Sequence, residues 1–191
     1  FVFHYLNAWN EGRHVTFDAI DFTVAPNFPD PDGNLPGHAE AQGRLTRWRL
    51  DVSTGQIYRE SLVDLAAEFP RIDDRFAMVR HRHGFLATAS QRQRGDCGLF
   101  HEITHMDLDS GQQQVWDAGF GSGVSEPVFV ERSKQAGEGA GWLLATVYEP
   151  ERHTSSLVVL DAMAVADGPV GTGRLDHRVP FGFHGSWRPA A

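Results

Sequence analysis

Two histidines near opposite ends of the chain, His4 and His184, each sit in an aromatic-rich run: Phe1-Val-Phe-His4-Tyr-Leu-Asn-Ala-Trp9 and Pro180-Phe-Gly-Phe-His184-Gly-Ser-Trp187. Between them stand two glutamates, Glu68 in Glu-Phe-Pro and Glu126 in Glu-Pro-Val. Taken singly, such a histidine reads as a core residue satisfied by backbone groups, and a Glu-Pro pair reads as a strand cap facing water. The spacing argues otherwise. Glu68 and Glu126 are 58 residues apart (126 minus 68), His184 lies 58 further on (184 minus 126), and His4 lies 64 before Glu68 (68 minus 4). Four such residues in one phase of a repeat would converge on one axis, which is a geometric reason for metal binding.

The elements that would position them repeat with a similar period. Leu50-Asp51-Val-Ser-Thr-Gly55 returns as Met106-Asp107-Leu-Asp-Ser-Gly111, 56 residues later (107 minus 51), and Leu160-Asp161 ends a similar strand 54 beyond that (161 minus 107). Each unit holds about four short strands. Strands are expected over 13–22, 44–51, 56–63, 76–80, 84–89, 99–107, 113–117, 126–130, 142–148 and 156–161, with a new unit opening at Glu68-Phe-Pro-Arg-Ile72. A Pro-, Asp- and Gly-rich loop covers 25–43, a Gly-rich insertion covers 133–141, and only 61–67 suggests a short helix. A four-stranded unit repeated without helices is a β-propeller blade, and in a propeller the first strand of every blade lines the central channel. The fold class is therefore all-β, a partial propeller of about three to three and a half blades. That is too few to close one of the larger rings alone.

Composition limits the partners. The chain has 191 residues, 41% of them apolar, enough to bury a core as a single domain spanning 1–191. A formal net charge of -8 argues against nucleic acid and anionic membrane surfaces, and the arginines at Arg44, Arg47, Arg49 and from Arg80 to Arg94 read as solvated strand faces. A single cysteine, Cys97, cannot form an internal disulfide, which favours a reducing, cytoplasmic setting, and as a side chain Cys97 reads as a small, buried or half-buried residue. No apolar run reaches the length of a transmembrane helix. The chain opens at Phe1 inside an apolar run, which reads as the start of a C-terminal portion whose N-terminal part is missing.

Five motifs in order, Phe3-His4-x-x-Asn7-Ala8-Trp9, Glu68-Phe-Pro-Arg-Ile-Asp73, Glu126-Pro-Val-Phe-Val130, the strand pair from Tyr148 to Ala162, and Pro180-x-Gly182-Phe183-His184-Gly185, resemble the C-terminal part of the carotenoid cleavage oxygenases. Leu6-Asn-Ala-Trp9 and Arg71-Ile-Asp-Asp-Arg75 are most similar to the lignostilbene dioxygenase branch. The resemblance implies a seven-bladed propeller with a non-haem Fe(II) on its axis, held by four histidines and no carboxylate. It makes His4 and His184 the last two metal ligands, and Glu68 and Glu126 the acids that hydrogen-bond them respectively. Two further histidines and another glutamate would precede Phe1. Asn10 stands where many relatives have an acid, at a position that is not a ligand. Imidazole suits Fe(II), and a carboxylate on the other ring nitrogen fixes the tautomer that ligates. The implied activity is oxidative cleavage of a carbon–carbon double bond in an apolar or phenolic alkene, a stilbene or an apocarotenoid, with O2 to give two aldehydes. This chain would supply half of the iron site and would not complete it alone.

Two other readings stand beside this one. His101-Glu102-Ile-Thr-His105 matches H-E-x-x-H, the zinc hydrolase signature, which requires a helix. On the strand expected here the two rings start about 13 Å apart, too far for one ion. A propeller can also be a non-catalytic binding module, and that reading predicts that His4, Glu68, Glu126 and His184 stay apart. His81 and His83 would share a strand face, most simply as solvated histidines beside arginines, and His14, His38, His153 and His177 lie in polar surroundings. No Gly-rich stretch precedes a helix that could hold a phosphate.

Overall fold

A computed structural model of the chain describes residues 1–26, 28–37, 40–90 and 100–190. Cys97 and His38 lie outside the described residues. Three antiparallel sheets follow one another along the sequence. The first runs β1 (Val2–Glu11), β2 (His14–Asp21), β3 (Arg44–Asp51) and β4 (Ile57–Ser61). The second runs β5 (Ala66–Arg71), β6 (His83–Ala89), β7 (Glu102–Asp107) and β8 (Gln113–Asp117). In the third, β10 (Val128–Glu131), β11 (Gly141–Glu149), β12 (Thr154–Asp161) and β13 (Pro169–Arg174) form the meander, and the short β9 (Gly123–Val124) adds to β11. Each is the up-and-down sheet of a propeller blade, in sequence order from first strand to last.

The repeat seen in the sequence is a turn between the third and fourth strands of each blade. Asp51 Oδ1 accepts from the backbone N–H groups of Ser53 at 2.9 Å and Thr54 at 3.3 Å. Asp107 Oδ1 does the same for Asp109 at 3.1 Å and Ser110 at 3.3 Å. Gly55 and Gly111 then take φ of 72° and 73°, a left-handed turn that a side chain would strain. The third copy keeps only the aspartate, whose Oδ1 accepts from Met163 N at 3.0 Å.

Apolar cores lie between neighbouring blades. Leu6, Ile20, Leu45, Ala67, Leu86 and Met106 join the first blade to the second. Phe85, Ile103, Phe129, Leu143 and Leu160 join the second to the third. The outermost strands alternate or are exposed throughout, as edges require.

Several expectations need correction. Residues 76–80 are not a strand: Asp73 caps a single 3-10 turn over Asp74–Phe76, and Met78 is left-handed with φ of 67°. The Asn7 side chain then holds that loop through Phe76 O, Val79 O and Met78 N. The segment 61–67 is not a helix, because its backbone pairs onward, Leu62 N to Leu45 O and Ala67 N to Gly43 O. Glu68, whose position at the opening of its unit suggests a place just before the first strand, lies inside β5. Strand β13 was not expected, since Pro169, Gly171 and Gly173 read locally as loop; pairing with β12 supplies what propensity does not. His81 and His83 are buried, not solvated: His81 packs edge-on to Trp9, and His83 Nδ1 lies 3.0 Å from His105 Nε2. Burial lowers the basicity of both rings, His81 to a pKa of about 4. Arg47 is likewise no solvated charge; it grips the buried Asp18 with two bonds of 2.8 Å and covers Trp9.

Candidate metal centre

His4 enters on the first strand of the first blade. The pairing of β1 with β2 is irregular on both sides of Tyr5, next to His4, a local twist of the kind that re-aims a side chain. Glu68 enters on the first strand of the second blade, and Glu126 lies two residues before the first strand of the third. His184 comes back on the segment that follows β13 and has no regular structure. The four residues, drawn from positions 4 to 184, meet at one place.

His4 Nδ1 lies 2.6 Å from Glu68 Oε2, and His184 Nδ1 lies 3.2 Å from Glu126 Oε1. The two Nε2 atoms face each other at 3.2 Å, with the rings at 79°. Both glutamate side chains are buried, 9% and 4% exposed. Each carboxylate also accepts a backbone N–H: Phe69 N donates to Glu68 Oε2 at 2.7 Å, and Gly185 N donates to Glu126 Oε2 at 2.8 Å. Burial pushes the Glu68 carboxyl above its ordinary range, opposed by the Phe69 N–H and by His4.

This donor set fits a cation. With each Nδ1 proton held by a carboxylate, both Nε2 atoms carry lone pairs, and two lone pairs at 3.2 Å repel unless a proton or a metal ion lies between them. Two imidazoles bound about 2.0–2.1 Å from one ion place their nitrogens about 2.8–3.0 Å apart at a right angle and about 3.3–3.4 Å apart at the tetrahedral angle, a range that includes the separation seen here. Phe69, centred 5.6 Å from the His4 ring and 6.3 Å from that of His184, makes one wall apolar.

The H-E-x-x-H segment is distributed differently. Glu102–Asp107 is a strand; His101 turns to Asp117, with Nδ1 3.2 Å from Oδ1, while His105 pairs with His83. His101, Glu102 and Asp117 bring one ligand atom each within 4.8 Å of one another, a grouping that leaves His105 out. Glu102 there accepts from the Thr88 hydroxyl at 3.1 Å, and Asp117 from Gly119 N at 2.8 Å. The separation of His4, Glu68, Glu126 and His184 expected of a binding module is not what the chain adopts.

One residue beside the centre escaped the reading of spacing. Arg71 reaches Glu126 Oε2 and the Gly185 carbonyl, both at 3.4 Å. An offset of three along a regular strand turns two side chains to opposite faces, so Arg71 does not register as a partner of Glu68's site. The Pro within the strand, Pro70, is the signal of a bulge that could have revealed it.

Blades in sequence, with two imidazole–carboxylate pairs brought together at one place, define the class as a β-propeller with a candidate metal site. The family model described as retinal pigment epithelial membrane protein matches residues 1–189. The chain is 35% identical over 197 residues to isoeugenol monooxygenase of Pseudomonas putida, covering 98% of this chain and 41% of that protein. The crystal structure of Pseudomonas brassicacearum lignostilbene dioxygenase superposes with a TM-score of 0.90 at 31% identity, over 100% of this chain and 42% of that one. Cobalt-substituted Synechocystis apocarotenoid oxygenase gives 0.89 at 28%, over 100% and 40%. The chain belongs to the RPE65 family of carotenoid cleavage oxygenases, and it spans about two fifths of the length of these relatives. Among the described residues no helix is long and apolar enough to cross a membrane.

Proposed function

We propose that residues 1–191 are the C-terminal portion of a propeller oxygenase, and that the full-length protein cleaves the double bond of an apolar or phenolic alkene with O2, one oxygen atom entering each of two aldehydes. The observation that carries this reading is the pair of Nε2 atoms at 3.2 Å, each backed through Nδ1 by a buried glutamate. His4 and His184 would be two of the ligands to Fe(II), and two further histidines would come from upstream sequence. Activation of dioxygen is the chemistry that the ion supplies when bound. The chain's own residues hold both imidazoles as Nδ1–H tautomers through Glu68 and Glu126, and Phe69 keeps water from one side of the centre. The names of the relatives, isoeugenol and lignostilbene oxygenases among them, support a phenolic alkene as the substrate class. The lone cysteine supports a reducing, cytoplasmic setting.

The test uses the full-length protein with a phenolic stilbene, measuring bound iron and product aldehydes. Stoichiometric iron and two aldehydes per alkene are expected, with both lost in His184→Ala. Unchanged turnover in that variant would sink the assignment.

A further inference from the structure

Strand β5 carries Glu68 and, three residues on, Arg71, and both serve the same centre. The strand departs from regular pairing to allow it: its register with β6 shifts between Glu68 and Arg71, and Phe69 takes φ of 52°, left-handed for a bulky residue. Such a conformation persists only where the surroundings over-determine it, and it clusters at functional sites. Here it turns the side chain of Arg71 toward the third blade. The guanidinium Nη1 donates to Glu126 Oε2 and to the Gly185 carbonyl, and Nη2 donates to Asp74 Oδ2, all at 3.4 Å.

Those contacts differ from what supports the other arm. Among the described residues, Glu126 has Arg71 as an ion-pair partner in addition to His184, whereas Glu68 has only His4. The Glu126 carboxylate is 4% exposed, and a buried carboxylate needs a partner charge or several donors. Arg71 supplies that partner charge from the side of the carboxylate away from the His184 bond, on Oε2 rather than Oε1. The same guanidinium holds the carbonyl of the residue after His184, so it also restrains the backbone of the segment that delivers the ring.

We propose that Arg71 is a positioning residue for His184, acting through Glu126 and the Gly185 carbonyl, and that the bulge at Phe69 exists to let one strand support both ligand arms. This rests on the reading of His4 and His184 as metal ligands. It assigns Arg71 no contact with substrate or metal.

The experiment is a double-mutant cycle in the full-length protein, read as the rate at which a chelator strips the bound metal, with the absorption bands of the Co(II)-loaded form as a second readout. Arg71→Gln should speed metal loss about 10-fold, at the low end of what a lost outer partner costs. Arg71→Lys, which keeps the charge without the fork, should recover part of that rate and move the cobalt bands back toward the parent. In a Glu126→Gln background, Arg71→Gln should add clearly less than it does alone, the remainder being its hold on the Gly185 carbonyl. Additive effects of the two substitutions, or metal loss unchanged in Arg71→Gln, would overturn the inference while leaving the metal site standing. A parent protein that retains no metal would overturn the metal reading and this inference with it.

Discussion

His4 rides on a strand and His184 on a segment without regular structure, and the supports behind them differ accordingly. The His4 side chain is 23% exposed and meets Glu68 at 2.6 Å; that of His184 is 56% exposed and meets Glu126 at 3.2 Å. Glu68 is the less satisfied acid, with Oε1 buried and without a hydrogen-bond partner among the described residues, and burial raises its pKa. Glu126 has Gly185 N and Arg71 on its second oxygen. An arm fixed by its backbone tolerates an imperfectly solvated carboxylate, whereas an arm on an irregular segment needs a carboxylate that also ties the segment down. Preorganisation reaches the same point by a rigid strand on one side and by a network on the other.

The largest effect should come from removing either ring. His4→Ala and His184→Ala in the full-length protein should each lower metal affinity by more than about 100-fold, beyond the range of a lost outer partner. Metal titration of both variants checks this, and a large difference between them would break the symmetry of the two arms. Replacing the acids should cost less. Glu68→Gln and Glu126→Gln should each weaken metal retention about 10 to 100-fold without unfolding the chain, which circular dichroism would verify. Only Glu126→Gln should also loosen the segment that follows β13, seen as faster tryptic cleavage after Arg178, because Glu126 alone of the two holds Gly185.

A smaller and more selective change is Gly185→Ala. A Cβ there would come within 2.8 Å of Val128 Cγ2, pushing the segment off the third blade. Metal release should quicken severalfold, with the His4–Glu68 pair unaffected in the ring proton resonances of the metal-free protein. Acid must be controlled in all these comparisons. His81 and His105 are buried with pKa values lowered to about 4, by burial first in each case. Their lowered values make the unfolded chain the stronger proton binder between the ordinary 6.5 and about 4. Stability contributed by the neutral rings is therefore full above pH 6.5 and lost as pH falls through that window, by up to about 1.4 kcal/mol per pH unit for each ring. Denaturant melts of His105→Gln should show a shallower acid limb, and the two arms should be compared above pH 6.5.

Much of the fold was readable because its repeat is written in side-chain chemistry. Asp51, Asp107 and Asp161 mark the same turn in three blades, and the period they set is the one that brings Glu68, Glu126 and His184 together. His4, 64 residues before Glu68, joins them at an offset somewhat longer than the period, on the first strand of the preceding blade. What was not readable depended on departures from regularity. Residues 76–80 look like a strand until Asn7, some 70 residues earlier, takes their backbone groups. Arg71 lies on the wrong side of an ideal strand and reaches Glu126 only because Phe69 breaks the alternation. The burial of His81 and His83 came from packing between blades, which no local pattern beside Arg80 and Arg82 announces.

The central claim, that His4 and His184 ligate one metal ion, is tested most directly by anomalous diffraction from crystals of the full-length protein loaded with iron. A single peak at bonding distance from both Nε2 atoms, with each Nδ1 on its glutamate, is the predicted result. Stoichiometric iron located elsewhere, with the two rings sharing only a proton, would contradict it.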